Sequence, residues 1–297
     1  MTTKKGALNV TIAAATATAV VTGLLATGIL PSPVEASTSP TASPSSCTSS
    51  ALTDHWGVGT LHLEARNVAT GRELLSVRAD EGARTGSTMK VLTMAAAVAA
   101  LGPDTTIPTR VVEGARPDTV ILVGGGDPTL TRLPTGQNSV YPDAPHLDAL
   151  AHQVLESRAQ DPALIGVPIR HLEVDSSLFA GPAQLPTWSA SARTSGSVSN
   201  ISALMVDGDR YDPTNAYSLR GTAAVSRAAT AFAALLGGEA VPDPTLVVAP
   251  RGARQLGVVH SATVGVLARY TLTQSDDTLA EAQARLVAVK EGAGNEF

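Results

Sequence analysis

The alternation of apolar and polar residues early in the chain predicts a β-hairpin. Residues 57–65 alternate with the period of two that is typical of a half-buried strand, and residues 73–77 form a second short strand pattern. Between them, residues 67–72 have the composition of a turn. We therefore expect two antiparallel strands in this region.

A continuous apolar segment follows the hairpin and predicts a helix. It covers Met89–Leu101, and Gly102-Pro103 supplies the stop signal. Thr85 or Ser87 is the expected N-cap. Because almost no polar residue interrupts this helix, we expect it to be buried inside its domain.

The remainder of the chain alternates short strands with helices and turns. Strands are predicted over residues 120–123, 169–174 and 245–249, and helices over residues 146–157, 222–236, 261–273 and 278–289. The last two helices flank a polar turn, residues 274–277, which carries a serine and two carboxylates.

The first 52 residues differ from the rest in composition. Two lysines, a long apolar stretch and a small-residue cleavage site predict a secretory signal over residues 1–36, with an uncleaved membrane anchor as the alternative. Residues 37–52 are rich in Ser, Thr and Pro, which is typical of a flexible linker. This linker contains Cys47, the single cysteine, so an intrachain disulfide is excluded.

Composition and charge narrow the classes of function. Hydrophobic residues make up 43% of the chain and charged residues 16%, so we expect most of it to be globular. The net charge is −5 and no basic patch is present, which argues against a nucleic-acid partner. The six histidines lack the spacing of metal ligands, and we expect no metal and no cofactor.

Lysine usage indicates a catalytic pair. Lys90 is the only lysine between Lys5 and Lys290, and every other cationic side chain in that span is an arginine. An arginine keeps its proton in a protein, whereas a buried lysine can lose it and act as a base. Lys90 follows Ser87 at helical i,i+3 spacing, which places the hydroxyl and the amine on one face. Ser-x-x-Lys is the nucleophile–base pair of penicillin-interacting serine enzymes.

Five blocks of sequence resemble a known family. They are Ala83 to Thr93 around Ser-Thr-Met-Lys, Ala100 to Asp104, Leu122 to Leu130 with Gly-Gly-Gly-Asp-Pro, Ser202 to Gly208, and Gln274 to Glu281. In this order they resemble the D-alanyl-D-alanine carboxypeptidase/endopeptidase family, the class C low-molecular-mass penicillin-binding proteins. The resemblance runs from near Val58 to the C-terminus.

The resemblance implies a fold and a division of the chain. The fold is an α/β (α+β) fold, with a catalytic domain like that of the serine β-lactamases and penicillin-binding proteins and a large inserted domain. Residues 53–108 and 255–297 would form a partial catalytic domain, and residues 109–254 would form the insertion.

The resemblance also implies roles for individual residues. Ser87 would attack a D-Ala-D-Ala or cross-linking peptide bond in peptidoglycan stem peptides, Lys90 would take its proton, and Ser275 would relay a proton to the leaving amine. β-Lactams would act as covalent inhibitors. The protein would be exported to the cell wall or extracytoplasmic space, or associated with the membrane through an uncleaved signal.

The sequence departs from the family pattern in two places. Asp277 stands where the family has Asn, and an ionised carboxylate accepts hydrogen bonds only and favours the protonated form of Lys90. No Lys-Thr-Gly or close relative follows Asp277, and the nearest imitation, residues 193–196, precedes it. We therefore expect a C-terminally truncated member that lacks its C-terminal strands and is impaired as an enzyme.

Three classes of function stay open at this point. The first is a serine DD-peptidase that acts on peptidoglycan through a Ser-Lys acyl-enzyme. The second is a non-catalytic fragment that binds wall peptides or β-lactams, and the third is a serine β-lactamase. The Gly-Gly-Gly-Asp-Pro block and the long insertion between the motifs argue against the third class.

Overall fold

The computed structural model describes residues 59–238 and 241–294. These residues form two compact units, which divide between Gly82 and Ala83. The predicted signal over residues 1–36, the predicted linker over residues 37–52 and its Cys47 lie outside the described residues.

The first unit contains the predicted hairpin. Strands β1 (Leu63–Arg66) and β2 (Glu73–Val77) pair antiparallel, with Leu63 opposite Val77. β2 has the predicted bounds, whereas β1 covers only the end of the alternating stretch. Asn67 stabilises the turn, because its side-chain oxygen accepts hydrogen bonds from the backbone amides of Ala69 and Thr70.

The second unit combines helices with a single sheet. Its described helices are α1 (Met89–Leu101), α2 (Leu147–Ala159), α3 (Ala190–Thr194), α4 (Ala224–Ala233), α5 (Val264–Gln274) and α6 (Asp277–Lys290). Its described strands are β3 (Thr106–Glu113), β4 (Thr119–Val123), β5 (His171–Asp175), β6 (Val241–Leu246) and β7 (Gln255–Thr263). The helix predicted after the hairpin, α1, has the predicted bounds.

The sheet is mixed and runs in the order β6-β5-β4-β3-β7. β3 pairs antiparallel with β4 and with β7, while β4–β5 and β5–β6 are parallel pairs. The connections between the parallel strands contain α2 and α4, as crossovers require. Leu122 of the sheet, Leu150 of α2 and Phe232 of α4 belong to one buried apolar cluster. This arrangement is the α/β (α+β) fold expected from the sequence.

Helices α1, α5 and α6 form a separate packed group. α1 packs against both α5 and α6, and Met94, Ala268 and Ala280 form the buried apolar cluster between them. These three helices carry the Ser-x-x-Lys segment and the polar turn that follows α5. Their packing therefore determines how closely the two motifs approach.

The expectation that α1 is buried on all sides is wrong. Lys90, Met94 and Ala97 are buried, but Val91 and Leu92 are 57% and 66% exposed. Within the second unit, α5 and α6 contact α1 along one face only. A helix with apolar residues all round contains no sequence signal for which face its neighbours cover.

Two other boundaries differ from the predictions. Ser261, predicted to start a helix, lies in β7, where its hydroxyl accepts a hydrogen bond from the backbone amide of Ile107 in β3. The strand predicted over residues 245–249 is instead β6, which ends at Leu246. In both cases pairing with a distant strand, rather than local periodicity, determines the bounds.

The described part of the chain contains neither a metal-binding group of side chains nor a membrane-spanning helix. Among residues 59–238 and 241–294, no three His, Cys, Asp or Glu side chains are grouped to hold a metal ion. In the same part of the chain, no helix has the length and apolar character needed to cross a bilayer. The division into a catalytic domain and an insertion stays a prediction.

Asp127, in the Gly-Gly-Gly-Asp-Pro segment, is a buried carboxyl with one unpartnered oxygen. Its Oδ1 accepts hydrogen bonds from the backbone amide and hydroxyl of Thr129 at 2.8 and 2.6 Å. Its Oδ2 has no hydrogen-bond partner among the described residues. Burial raises the pKa of Asp127 from 3.8 to about 6, and the Thr129 hydrogen bonds only partly oppose this effect.

We expect Asp127→Asn to stabilise the protein at neutral pH. A raised pKa in the folded state means that the folded protein binds the proton more tightly, so stability falls as pH rises from about 4 to about 6. Above that range, keeping Asp127 ionised in the folded protein lowers the free energy of unfolding by an amount on the order of 3 kcal/mol. Asparagine avoids this loss because it is uncharged, and it keeps an oxygen acceptor for Thr129. Urea unfolding of both proteins should show a difference at pH 7 that shrinks toward pH 4. An equal difference at both pH values would contradict the assignment.

Candidate active site

Ser87 lies in a short 3-10 turn, Gly86–Thr88, that leads directly into α1. Of the two predicted N-caps, Thr85 precedes this 3-10 turn as its N-cap, whereas the N-cap residue of α1 itself is Thr88, whose side chain makes no capping hydrogen bond. The turn leaves Ser87 exposed, while Lys90 is buried. Lys90 Nζ donates a hydrogen bond to Ser87 Oγ at 3.1 Å. The structure thus brings the predicted nucleophile and base into direct contact.

The turn between α5 and α6 supplies the second wall of the site. Ser275 ends α5 in a left-handed conformation, with φ 55° and ψ 36°. Its Oγ donates a hydrogen bond to Ser87 Oγ at 2.6 Å. Asp276, rather than Ser275 or Asp277, is the N-cap of α6, because its side chain accepts from the backbone amide of Leu279. Ser275 and Asp277 are thereby left free to face the site.

Asp277 forms an ion pair with Lys90 and also accepts a hydrogen bond from its amine. The Lys90 side chain is 9% exposed, whereas that of Asp277 is 46% exposed. The lysine therefore lies at the base of the site between a hydroxyl and a carboxylate. All four residues predicted from sequence, Ser87, Lys90, Ser275 and Asp277, meet at this point.

This arrangement can exist in two protonation states with different chemistry. A neutral Lys90 amine can take the Ser87 proton, and the Ser275 hydroxyl is a second proton carrier in contact with the same oxygen. A protonated Lys90 has no acceptor site and cannot act as a base. The ion pair between Lys90 and Asp277 corresponds to the second of these states.

Two cavities adjoin these side chains. One, of about 400 Å³, is lined by Lys90, Asp277, Glu281 and Trp188 among others. The other, of about 300 Å³, is lined by Ser87, Ser275, Gly196 and Tyr217 among others. Lys90 lines one cavity and Ser87 the other, and both volumes lie within the range of small-molecule sites.

Sequence reasoning missed several of the residues that surround the site. Glu281 lies one helical turn after Asp277, so its i,i+4 spacing could have placed it on the same face. Trp188 packs against a buried apolar cluster and also lines the cavity. It stands in an irregular segment whose position no periodic pattern predicts. Gly196, in the sequence that imitates a third motif, lines the other cavity.

The fold and the Ser-x-x-Lys pair together are those of the penicillin-interacting serine proteins. The sequence profile described as the D-Ala-D-Ala carboxypeptidase 3 (S13) family matches residues 51–241 of this chain. The chain belongs to that family. This finding confirms the resemblance drawn from the five sequence blocks.

Named relatives support the same assignment. A carboxypeptidase of Mycobacterium tuberculosis is 36% identical over 237 residues, which cover 78% of this chain and 49% of that protein. Carboxypeptidase DacB of Mycolicibacterium smegmatis is 33% identical over 229 residues, which cover 77% of this chain and 48% of that protein. The chain therefore spans about half the length of the curated relatives that it matches.

A solved structure shows the same fold. Penicillin-binding protein 4 from Haemophilus influenzae superimposes with a TM-score of 0.60 at 16% sequence identity. The match covers 78% of this chain and 63% of that one. At this level of identity the likeness establishes the fold, and the chemistry rests on the site itself.

Proposed function

We propose that this protein carries out the acylation chemistry of a serine-type D-Ala-D-Ala carboxypeptidase/DD-endopeptidase. The observation that carries the proposal is the position of Ser87 Oγ, which is 3.1 Å from Lys90 Nζ and 2.6 Å from Ser275 Oγ. A hydroxyl between an amine and a second hydroxyl is the geometry that nucleophile activation requires.

The proposed reaction proceeds through an acyl-enzyme. Neutral Lys90 takes the proton of Ser87 as Oγ attacks the carbonyl carbon of the penultimate D-Ala residue. The tetrahedral intermediate collapses when Ser275 passes its proton to the leaving amine, which releases the terminal D-Ala, and the proton that Lys90 took from Ser87 replaces it on Ser275. Water then hydrolyses the Ser87 ester and restores the hydroxyl.

Peptidoglycan stem peptides and β-lactams are the proposed ligands. Both present a reactive amide carbonyl, and the curated relatives are named carboxypeptidases. Opening of a β-lactam ring leaves the departing amine attached to the acyl group, so the adduct persists. Since peptidoglycan lies outside the cytoplasm, we place the activity in the extracytoplasmic space, in agreement with the secretory signal predicted over residues 1–36.

The Lys90–Asp277 ion pair favours a second candidate function. The ion pair engages the Lys90 amine as a cation, and a lysine engaged in this way has no acceptor site for the Ser87 proton. A protein in this state would bind wall peptides or β-lactams with slow or no turnover. We therefore propose that the 297-residue polypeptide is impaired in catalysis.

Labelling with a fluorescent penicillin tests the proposal. We expect a covalent adduct of one penicillin per chain, located by mass spectrometry in the peptide that contains Ser87. A folded protein that gains no adduct would limit this chain to non-covalent binding. Rapid turnover of a chromogenic cephalosporin would instead assign it to the serine β-lactamases.

We expect Asp277→Asn to raise the rate of acylation by about tenfold, since the substitution removes the carboxylate that engages the Lys90 amine in an ion pair beside Ser87. The asparagine oxygen still accepts from Lys90, while its amide also donates. Stopped-flow labelling with the same penicillin measures the effect. Glu156→Gln, which neutralises an exposed carboxylate on α2 that lines neither cavity, separates a local effect from a general change in charge. An unchanged or lower rate in Asp277→Asn would sink the second candidate function.

A further inference from the structure

A buried ion pair lies directly behind the Ser275 turn. Oδ1 of Asp276 accepts from the Leu279 amide at 2.8 Å, and Oδ2 accepts from Arg210 Nη2 at 2.9 Å and from the Tyr141 hydroxyl at 3.4 Å. The side chains of Asp276 and Arg210 are 4% and 2% exposed. Both oxygens of Asp276 are therefore held in place, and solvent does not screen the pair.

Arg210 is itself held by three further contacts. Its Nη1 donates to the carbonyl of Asp207 at 3.1 Å, and its Nε donates to the carbonyl of Ala216 at 3.3 Å. Its guanidinium lies over the Tyr141 ring, 4.6 Å from the centroid. These contacts fix the orientation of the Arg210 guanidinium. The position of the Asp276 carboxylate that can accept a hydrogen bond from it is therefore fixed as well.

The segment that presents Arg210 is strained. Asp207, Gly208 and Asp209 are three consecutive residues with positive φ, of 54°, 56° and 57°. A left-handed conformation is unfavourable for a residue other than glycine, because its Cβ comes too close to the following carbonyl oxygen. Strain of this kind persists only where the surroundings impose it, and it concentrates at functional sites.

Close packing imposes this conformation. A Cβ at Gly208 would lie 2.4 Å from the Tyr141 hydroxyl oxygen and 2.7 Å from Arg220 Nη1. Arg220 Nη1 also donates to the Gly208 carbonyl at 2.6 Å, and its Nη2 lies 3.9 Å from Asp276 Oδ2. Both buried arginines, Arg210 and Arg220, thus contact the strained segment and lie close to the Asp276 carboxylate.

Ser275, the residue before Asp276, also has a left-handed backbone conformation. It is a non-glycine residue at φ 55°, and it is covalently bonded to Asp276. The only described contact of its side chain that bears on catalysis is the hydrogen bond to Ser87. Because Asp276 follows Ser275 directly in the chain, the partners that hold the Asp276 carboxylate also restrict the backbone of Ser275.

We propose that Asp276, held by Arg210 and Tyr141, is a positioning residue that keeps Ser275 in contact with Ser87. Residues 141 and 210 both lie far before α5 in the chain, in the segment predicted to be an insertion. That segment thus takes part in building the active site. The consequence for catalysis rests on the proposed function, whereas the placement of Ser275 does not.

Acylation kinetics test the catalytic consequence. We expect Arg210→Met to lower the rate constant of acylation by about 10²-fold with little change in penicillin affinity, as a misplacement of about 1 Å at a reacting group does. Asp276→Asn, which keeps the N-cap acceptor, and Tyr141→Phe should give smaller losses in the same rate constant. The matched control is Arg158→Met, since Arg158 is also buried and donates to the carbonyls of Pro117 and Val167. This control should stay within about twofold of the parent, as expected when a change lies outside the reacting groups.

A cross-linking experiment tests the placement of Ser275 without any catalysis. The full chain with Cys47→Ser, Ser87→Cys and Ser275→Cys is exposed to oxidised glutathione, and disulfide formation is followed by mass spectrometry. We expect rapid cross-linking that slows at least tenfold when Arg210→Met is added, and does not slow with Arg158→Met. Circular dichroism confirms folding of each variant, and Tyr141→Phe replaces Arg210→Met if the latter does not fold.

The two experiments separate the two claims. Cross-linking that depends on Arg210, in a protein whose parent is not acylated, supports the positioning role and overturns the proposed function. Cross-linking at the same rate with and without Arg210→Met or Tyr141→Phe overturns the positioning role, whatever the acylation result.

Discussion

Ser87→Ala is expected to abolish the covalent penicillin adduct. In the structure, Ser87 Oγ is the hydroxyl that contacts Lys90 Nζ, and Ser275 Oγ contacts Ser87 rather than the lysine. Loss of Oγ therefore removes the group that bonds to the acyl carbon, and no neighbouring hydroxyl takes its place. Because Ser87 is exposed, the substitution should change the free energy of unfolding by no more than about 0.5 kcal/mol.

Intact-mass analysis after incubation with penicillin measures this result. The parent should gain the mass of one ring-opened penicillin, and Ser87→Ala should gain none. Ser226→Ala, an exposed serine on α4, is the matched control and should be labelled like the parent. An adduct that survives in Ser87→Ala would mean that another residue is the nucleophile.

Lys90→Arg is expected to lower the rate of acylation by about 10²–10⁴-fold, the usual contribution of a general base. Arginine can keep the ion pair with Asp277, but it cannot give up its proton in a protein. Lys90→Met removes the charge as well, and the 46% exposed Asp277 can then be hydrated. We expect both variants to lose acylation to a similar extent.

Comparison of the two lysine variants separates two roles of Lys90. If the lysine only neutralises Asp277, then Lys90→Arg should react at nearly the parental rate while Lys90→Met fails. If the lysine is the base, both should fail. Lys290→Met, which changes an exposed lysine in the last turn of α6, is the control for general effects of charge. Thermal unfolding of each variant checks that the packing of α1 is retained.

Local patterns predicted the elements that depend only on neighbouring residues. The hairpin and the bounds of α1 follow from period-two alternation, a turn composition and a glycine stop, all of which act within a few residues. The strand in the sheet centre, β4, was also predicted, because an unbroken apolar run is typical of a strand covered on both faces.

Predictions failed where distant segments decide the outcome. Ser261 lies in β7 because that strand pairs with β3, which is about 150 residues earlier in the chain. Which face of α1 is exposed depends on which helices pack against it. The amino-acid composition of α1 does not indicate those partners. Ser275, Asp276 and Asp277 all precede the helix predicted from residue 278 and are all N-cap residue types, so only the structure shows that Asp276 is the cap.

In the active site too, local contacts follow from the sequence, whereas contacts between distant residues depend on the tertiary structure. Ser87 and Lys90 meet because residues three apart on a helix share a face, so the sequence alone determined that pair. Ser275 is 188 residues from Ser87, and Asp277 is 187 residues from Lys90. Only the packing of α1 against α5 and α6 brings them together, and only the tertiary structure places Arg210 and Tyr141 behind Asp276. The spacing of two residues within one helix is a local property that the sequence shows directly. A contact between residues almost 190 positions apart depends on the free energy of the whole fold.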